Sequence, residues 1–308
     1  SSRAISLFGL GLLDNKGRLQ VRRKRQSVCC TSMTRRRSPQ RWPWYATNFG
    51  LPVLVLGAAA WIFSPSWSEG VSGFQPEGQV RELRVEVHRR FPHDRTAYTQ
   101  GLILFEGKLL ESTGRYGQSD VRRLDPLTGN VEQRVGISPA FFGEGIARVE
   151  DRLVMLTYKA QRAFALGIEK FDQLETFRYR GEGWGLCNDG RRLIMSNGSS
   201  RLTFRDLQSF EEIGGVDVTL RGVPQMQLNE LECVDGTVYA NVYQRDIILR
   251  IDLARGYVTE YIDASGLLTP EESRGVDVLN GIAYDPDRDR FYITGKLWPT
   301  MFEVTFEE

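Results

Sequence analysis

The chain of 308 residues is 41% apolar and has four cysteines: enough material for one large globular domain or two small ones, and no disulfide scaffold. Its net charge of +1 conceals an asymmetry, because residues 1–42 hold eleven Lys and Arg against Asp14 alone while the rest holds 29 basic against 38 acidic residues. A folded body that is acidic overall excludes nucleic-acid binding by charge.

In chain order, residues 1–41 read as a basic leader and 42–63 as a secretory h-region or an uncleaved membrane anchor. The wholly apolar run, 51–63 (LPVLVLGAAAWIF), has thirteen residues, closer to an h-region of about 7–15 than to a spanning helix of about 20. Counting back to Trp42 gives the anchor. The positive flank keeps the N-terminal side in the cytoplasm and sends the remainder across. The expectation is an exported protein, periplasmic or extracellular, that meets a membrane only through this segment. Met33 opens a signal-like stretch, MTRRRSPQRW, which makes it the expected start and leaves 1–32 outside the native chain. Residues 64–79, rich in Gly, Ser and Pro, read as a linker, and 80–308 as the folded domain.

Beyond the linker, helical periodicity is nearly absent. Short β-branched and aromatic runs alternate with turn signals such as Glu106-Gly, Asn188-Asp-Gly and Asp235-Gly, the pattern of an all-β fold. Five stretches share one layout. They open at Gln100, Glu144, Trp184, Asn229 and Asn280, at spacings of 44, 40, 45 and 51 residues, near the period of a propeller blade. The fourth repeat divides into strands at 230–234, 237–243, 247–253 and 257–262. The fifth stops one strand short, and 80–88, where Leu83, Val85 and Val87 alternate with Glu82, Arg84 and Glu86, supplies the missing one. The expected fold is a five-bladed β-propeller closed by an N-terminal strand on the last blade, which leaves no exposed edge.

In a propeller the first strand of each blade lines the axis, so the five opening residues converge on one mouth. Tyr158, Asn197, Tyr243 and Lys296 form a second tier at the ends of the second strands, and Tyr98, Phe141, Phe142 and Trp298 crowd the approaches. One carboxylate, one ammonium and several amides in an apolar cup suit a small polar group. Asn280 reads more as a turn former than as a ligand. Cys187 and Cys233 fall three and four residues after their repeat openings, hence on opposite faces of equivalent strands, and are expected to be two buried free thiols. The two histidines, His88 and His93, sit in or beside the closing strand, and no cluster has metal-ligand spacing. No cofactor is expected; a cation in the channel stays open, with no residues assigned to it.

At Glu144 the motif Phe141-Phe-Gly-Glu-Gly resembles the plant-type glutaminyl cyclases, the glutamine cyclotransferases. The likeness continues through Phe91-Pro-His-Asp, Ala97-Tyr-Thr-Gln-Gly-Leu, Glu182-Gly-Trp-Gly-Leu, Leu228-Asn-Glu-Leu-Glu, Ala240-Asn-Val-Tyr, Leu279-Asn-Gly-Ile-Ala-Tyr-Asp and Thr294-Gly-Lys-Leu-Trp-Pro. The resemblance implies a five-bladed propeller that converts N-terminal glutamine to pyroglutamate with release of ammonia. It places the functional residues at Gln100, Glu144, Trp184, Asn229 and Lys296. Tyr158 and Tyr243 stand where many relatives are expected to have Trp.

On this reading Glu144, Lys296 and Asn229 are the catalytic candidates. Gln100, Trp184, Tyr243, Phe142, Tyr158 and Tyr98 bind the substrate, the N-terminal Gln of a peptide or protein. The expected state is a monomer. Two rivals remain: a non-catalytic propeller that binds a peptide or small ligand on its axis, and a five-bladed glycosidase. The latter needs two carboxylates flanking the bond, but only Glu144 among the openings is acidic, and Glu230 and Glu232 are expected on the strand face opposite Asn229.

Overall fold

A computed structural model describes residues 78–308. The leader, the apolar segment and the linker up to residue 77 lie outside the described residues, together with the readings placed on them. The described chain is all β. Strand β1 (Arg81–Pro92) precedes a first sheet of β2 (Thr99–Phe105), β3 (Lys108–Thr113), β4 (Asp120–Leu124) and β5 (Val131–Gly136). A second sheet holds β6 (Gly143–Val149), β7 (Arg152–Thr157), β8 (Arg162–Gly167) and β9 (Gln173–Arg178). A third holds β10 (Leu186–Asn188), β11 (Leu193–Met195), β12 (Arg201–Arg205) and β13 (Glu212–Asp217). After the short β14 (Thr219–Leu220) and β15 (Val223–Pro224) come β16 (Leu228–Val234), β17 (Thr237–Val242), β18 (Ile247–Asp252) and β19 (Tyr257–Asp263). The chain ends in β20 (Leu279–Asp285), β21 (Arg290–Gly295) and β22 (Thr300–Glu307).

The first three sheets are four-stranded antiparallel meanders, while β16–β19 and β20–β22 belong to one larger sheet in which β1 lies between them. It pairs antiparallel with β22 from Arg84↔Glu307 to Pro92↔Thr300, and parallel with β19 from Arg81↔Glu260 to Arg84↔Asp263. The antiparallel pairing is where the sequence places an N-terminal strand; the parallel one has no signal in the sequence.

Turn chemistry explains the hairpins. Glu106 and Gly107 have φ of 49° and 72°, and Asp235 and Gly236 have 47° and 76°, the two positive values that a tight hairpin turn needs to match the strand twist.

Apolar side chains pack sheet against sheet. Ile103, Leu110 and Val121 meet Ile146, Leu153 and Phe164; Val154 and Leu156 meet Leu186 and Leu193; Ile194 and Leu202 meet Leu231, Val238 and Leu249. Tyr239 and Ile248 then meet Ile282, Phe291 and Phe302, and Leu102, Leu109 and Leu124 meet Ala283, Tyr292 and Met301. The last contact returns to the first sheet, so the packing is cyclic and propeller-like.

One expectation is corrected. Cys187 and Cys233 are not free thiols: they form a disulfide, with Cα atoms 5.5 Å apart, between β10 and β16. Their opposite orientation on equivalent strands is what permits it. In sheets stacked face to face, the forward face of one sheet meets the backward face of the next, and both cysteines pack into the same interface cluster.

Candidate active site

Four of the five strands at the repeat openings share a local defect there, the exception being β10, which starts after Trp184. The ladder slips between Thr99 and Gly101 in β2, between Gly143 and Ile146 in β6, between Leu228 and Leu231 in β16, and between Leu279 and Ile282 in β20. Such a bulge re-aims a side chain that regular pairing would fix. The residue after each opening is Gly in four cases: at Gly101, Gly145 and Gly185 because the neighbouring strand is too close for a side chain, and at Gly281 because its φ is 122°. A Cβ on Gly185 would lie 2.0 Å from the Asn229 carbonyl oxygen, and one on Gly145 2.6 Å from the Leu186 nitrogen.

The exception is Glu230. Its carboxylate accepts the amides of Leu102 at 3.3 Å and Ile282 at 2.9 Å, joining β16 to β2 and β20 and satisfying two donors from other strands. Glu232 accepts the Tyr284 amide at 3.1 Å. Burial pushes both carboxyls up, Glu232 to about 8. Neither lines the cavity described next, so the second carboxylate that a glycosidase requires is not supplied by them.

That cavity, of about 240 Å3, is lined by Tyr98, Gln100, Phe142, Glu144, Tyr158, Trp184, Asn229, Tyr243 and Lys296. These nine are the catalytic and substrate-binding candidates, drawn from every sheet, whereas Asn197, Phe141 and Trp298 do not line it. Asn280, buried, sits behind them and donates from Nδ2 to the Thr99 carbonyl at 3.0 Å and to Gln100 Oε1 at 3.4 Å, which aims Gln100 at the cavity.

One acid and one amine share that cavity. Glu144 is 4% exposed and Lys296 3%, and among the described residues neither side chain has a hydrogen bond or an ion pair within 4 Å. Burial holds the Glu144 carboxyl well above its ordinary range, opposed by the charge of Lys296 and reinforced by that of Glu182. Burial also lowers Lys296, opposed by Glu144 and Asp277. The Lys296 ammonium instead lies 5.1 Å from the Tyr98 ring centroid and 5.3 Å from that of Tyr243, a cation–π setting that retains a charge without consuming its hydrogen bonds. A carboxylate and an ammonium held apart in a cavity are both free to meet a ligand.

The walls are aromatic and seated on glycine. Phe142 packs edge-on to Tyr98 and Tyr116 and tilted against Tyr158. A Cβ on Gly114 would fall 2.3 Å from its ring. Trp184 meets Tyr243 edge-on with centroids 5.6 Å apart, and its Nε1 donates to Glu182 at 3.1 Å. Glu182 also pairs with Lys159 at 3.4 Å. The register does not pick out Asp277, which accepts a hydrogen bond from the Tyr98 hydroxyl at 2.9 Å. Its one trace in the sequence is its place at the end of the long join before Asn280. No group of three His, Cys, Asp or Glu among the described residues is placed to hold a metal ion.

The Glutamine cyclotransferase family model matches residues 58–306. The chain belongs to the glutamine cyclotransferase family. A curated member from Arabidopsis thaliana, a glutaminyl-peptide cyclotransferase, is 36% identical over 267 residues, covering 84% of this chain and 83% of the relative. The crystal structure of Myxococcus xanthus glutaminyl cyclase is 37% identical and superimposes with a TM-score of 0.66, covering 74% of this chain and 99% of the other.

Within this glutamine cyclotransferase, the phrase Phe91-Pro-His-Asp has a structural use. His93 donates from Nδ1 to the Trp298 carbonyl at 2.8 Å, and its Nε2 meets Glu111 at 3.0 Å. Asp94 takes Arg122 at 2.9 Å. These bonds fix the segment entering β2, and with it Tyr98 and Gln100.

Proposed function

We propose that the chain is a glutaminyl-peptide cyclotransferase that converts the N-terminal glutamine of peptides or proteins to pyroglutamate and releases ammonia. The observation carrying this reading is the buried, unpartnered pair of Glu144 and Lys296 across a cavity sized for one side chain, in a member of this family. The α-amine of the substrate attacks its own side-chain amide carbon, so the enzyme first folds the side chain back onto the amine. Phe142, Trp184 and Tyr243 shape the cup for that conformer and exclude water, whose attack would deamidate the substrate.

Glu144 takes the proton that the amine loses and returns it to the amide nitrogen, which departs as ammonia. An ordinary carboxylate is a poor base for an α-amine of pKa about 8; the raised Glu144 lies closer to it, where transfer in both directions is efficient. Lys296, with Asn229 and Gln100 as donors, stabilises the negative oxygen of the tetrahedral intermediate. No step requires a cofactor.

The same reading holds the fold to be a five-bladed propeller, β20–β22 taking β1 as their fourth strand. We also propose the organisation 1–41, 42–63, 64–79 and 80–308, with an exported domain, released or anchored through 42–63, acting as a monomer. The disulfide between Cys187 and Cys233 supports an oxidising compartment. Purified protein incubated with an N-terminal Gln peptide tests the activity: pyroglutamyl product and stoichiometric ammonia are expected, and a folded protein that yields neither between pH 7 and 9 would sink it.

A further inference from the structure

We propose that Asp277 is the resident counter-ion of Lys296, coupled to it through Tyr98, and that it frees Glu144 from ion pairing so that Glu144 can carry protons. The inference rests on the cyclase reading only for its consequence in activity.

The geometry is specific. Asp277 ends the join between β19 and β20, and its backbone is tied to that of the lysine: its amide donates to the Lys296 carbonyl at 2.9 Å, and the Lys296 amide donates to Val278 at 2.9 Å. The Trp298 indole donates to the Asp277 carbonyl at 2.9 Å. These bonds fix the Asp277 main chain relative to that of Lys296, and the Val278 amide donates to Asp277 Oδ1 at 2.8 Å. Its Oδ2 accepts the Tyr98 hydroxyl at 2.9 Å, and the Tyr98 ring lies 5.1 Å from the Lys296 ammonium. A phenol donating to a carboxylate becomes richer in electrons, and its ring holds a cation more strongly.

Asp277 does not line the cavity, so it acts through its neighbours as a positioning residue. The charged and titratable groups around Lys296 are Glu144 from β6, Asp277 beside β20, and the phenols of Tyr98 and Tyr243. Arg115 lies over the Tyr98 ring at 4.4 Å. Were Glu144 the only anion, Lys296 would need it ionised, and a shuttle must pass through its neutral form. With Asp277 in place the ammonium keeps a nearby anion when Glu144 is protonated.

The chain has six lysines, so a titration of 13Cε-labelled lysine by NMR resolves Lys296, assigned by its loss in Lys296→Arg. Removing an anion that holds a buried ammonium up lowers its midpoint. In Asp277→Asn the Lys296 midpoint is expected to fall by about half a pH unit or more, and the alkaline limb of kcat/KM should move down with it. Tyr98→Phe should lower the midpoint by less, and Asp277→Glu should restore it. An unchanged midpoint in folded Asp277→Asn would overturn the proposal; if that variant does not fold, Tyr98→Phe decides by the same criterion. Wild-type protein without turnover would count against the cyclase reading, while the NMR midpoints would still judge the counter-ion.

Discussion

Glu144 shows how far a residue can be read before its surroundings are known. Register makes it the one acid among the opening residues, and resemblance assigns it the proton. That its carboxyl has no partner, and that burial rather than charge dominates its ionisation, emerges only when the sheets are packed. Asp277 was missed for the related reason that its proximity to Lys296 is created by folding, 19 residues apart in sequence and adjacent across the β20–β21 pair.

A carboxyl whose pKa is raised by the fold binds its proton more tightly in the native than in the unfolded chain, so the native state loses stability as pH rises above the unfolded value of about 4.3. Glu144→Gln removes that loss. The variant should melt higher than wild type at pH 8, and the difference should shrink toward pH 4, in thermal scans followed by circular dichroism. A lower melting temperature at pH 8 would mean that pairing with Lys296 outweighs the cost of burial.

Among the elements, the strands were the most legible part of the sequence. The fourth repeat, read as 230–234, 237–243, 247–253 and 257–262, falls on β16–β19 to within two residues, because Asp235-Gly is a strong turn signal and the β-branched and aromatic runs are bounded by turns. The bulges at the repeat openings were not legible, since a register slip depends on the opposing strand.

Nor was the disulfide: parity placed the cysteines correctly, but whether opposite faces meet depends on how sheets stack. The bond links residues 46 apart, three positions after Trp184 and four after Asn229. Replacing both cysteines by Ser should cost about 2–4 kcal/mol in denaturant unfolding, with m somewhat larger because the unlinked unfolded chain exposes more surface. A cost near zero would show that the interface cluster alone sets the spacing of β10 and β16.

At the scale of the whole molecule, β1 is the strand most distant in sequence from its partners, and it covers the edges of both β22 and β19. Deleting residues 78–92 should therefore remove cooperative unfolding or yield aggregates, as an exposed edge invites pairing with other chains. A truncated protein that unfolds cooperatively at the wild-type midpoint would contradict that role.

The cyclic packing makes neighbours of residues nearly 200 positions apart, and it is what confronts Glu144 with Lys296. The central claim is that this carboxyl shuttles the proton of an intramolecular cyclisation. The most direct measurement is kcat for pyroglutamate formation from an N-terminal Gln peptide by wild type and folded Glu144→Gln. A fall of about 10²–10⁴ in kcat with KM little changed is predicted. Turnover in the variant within a few-fold of wild type would contradict it.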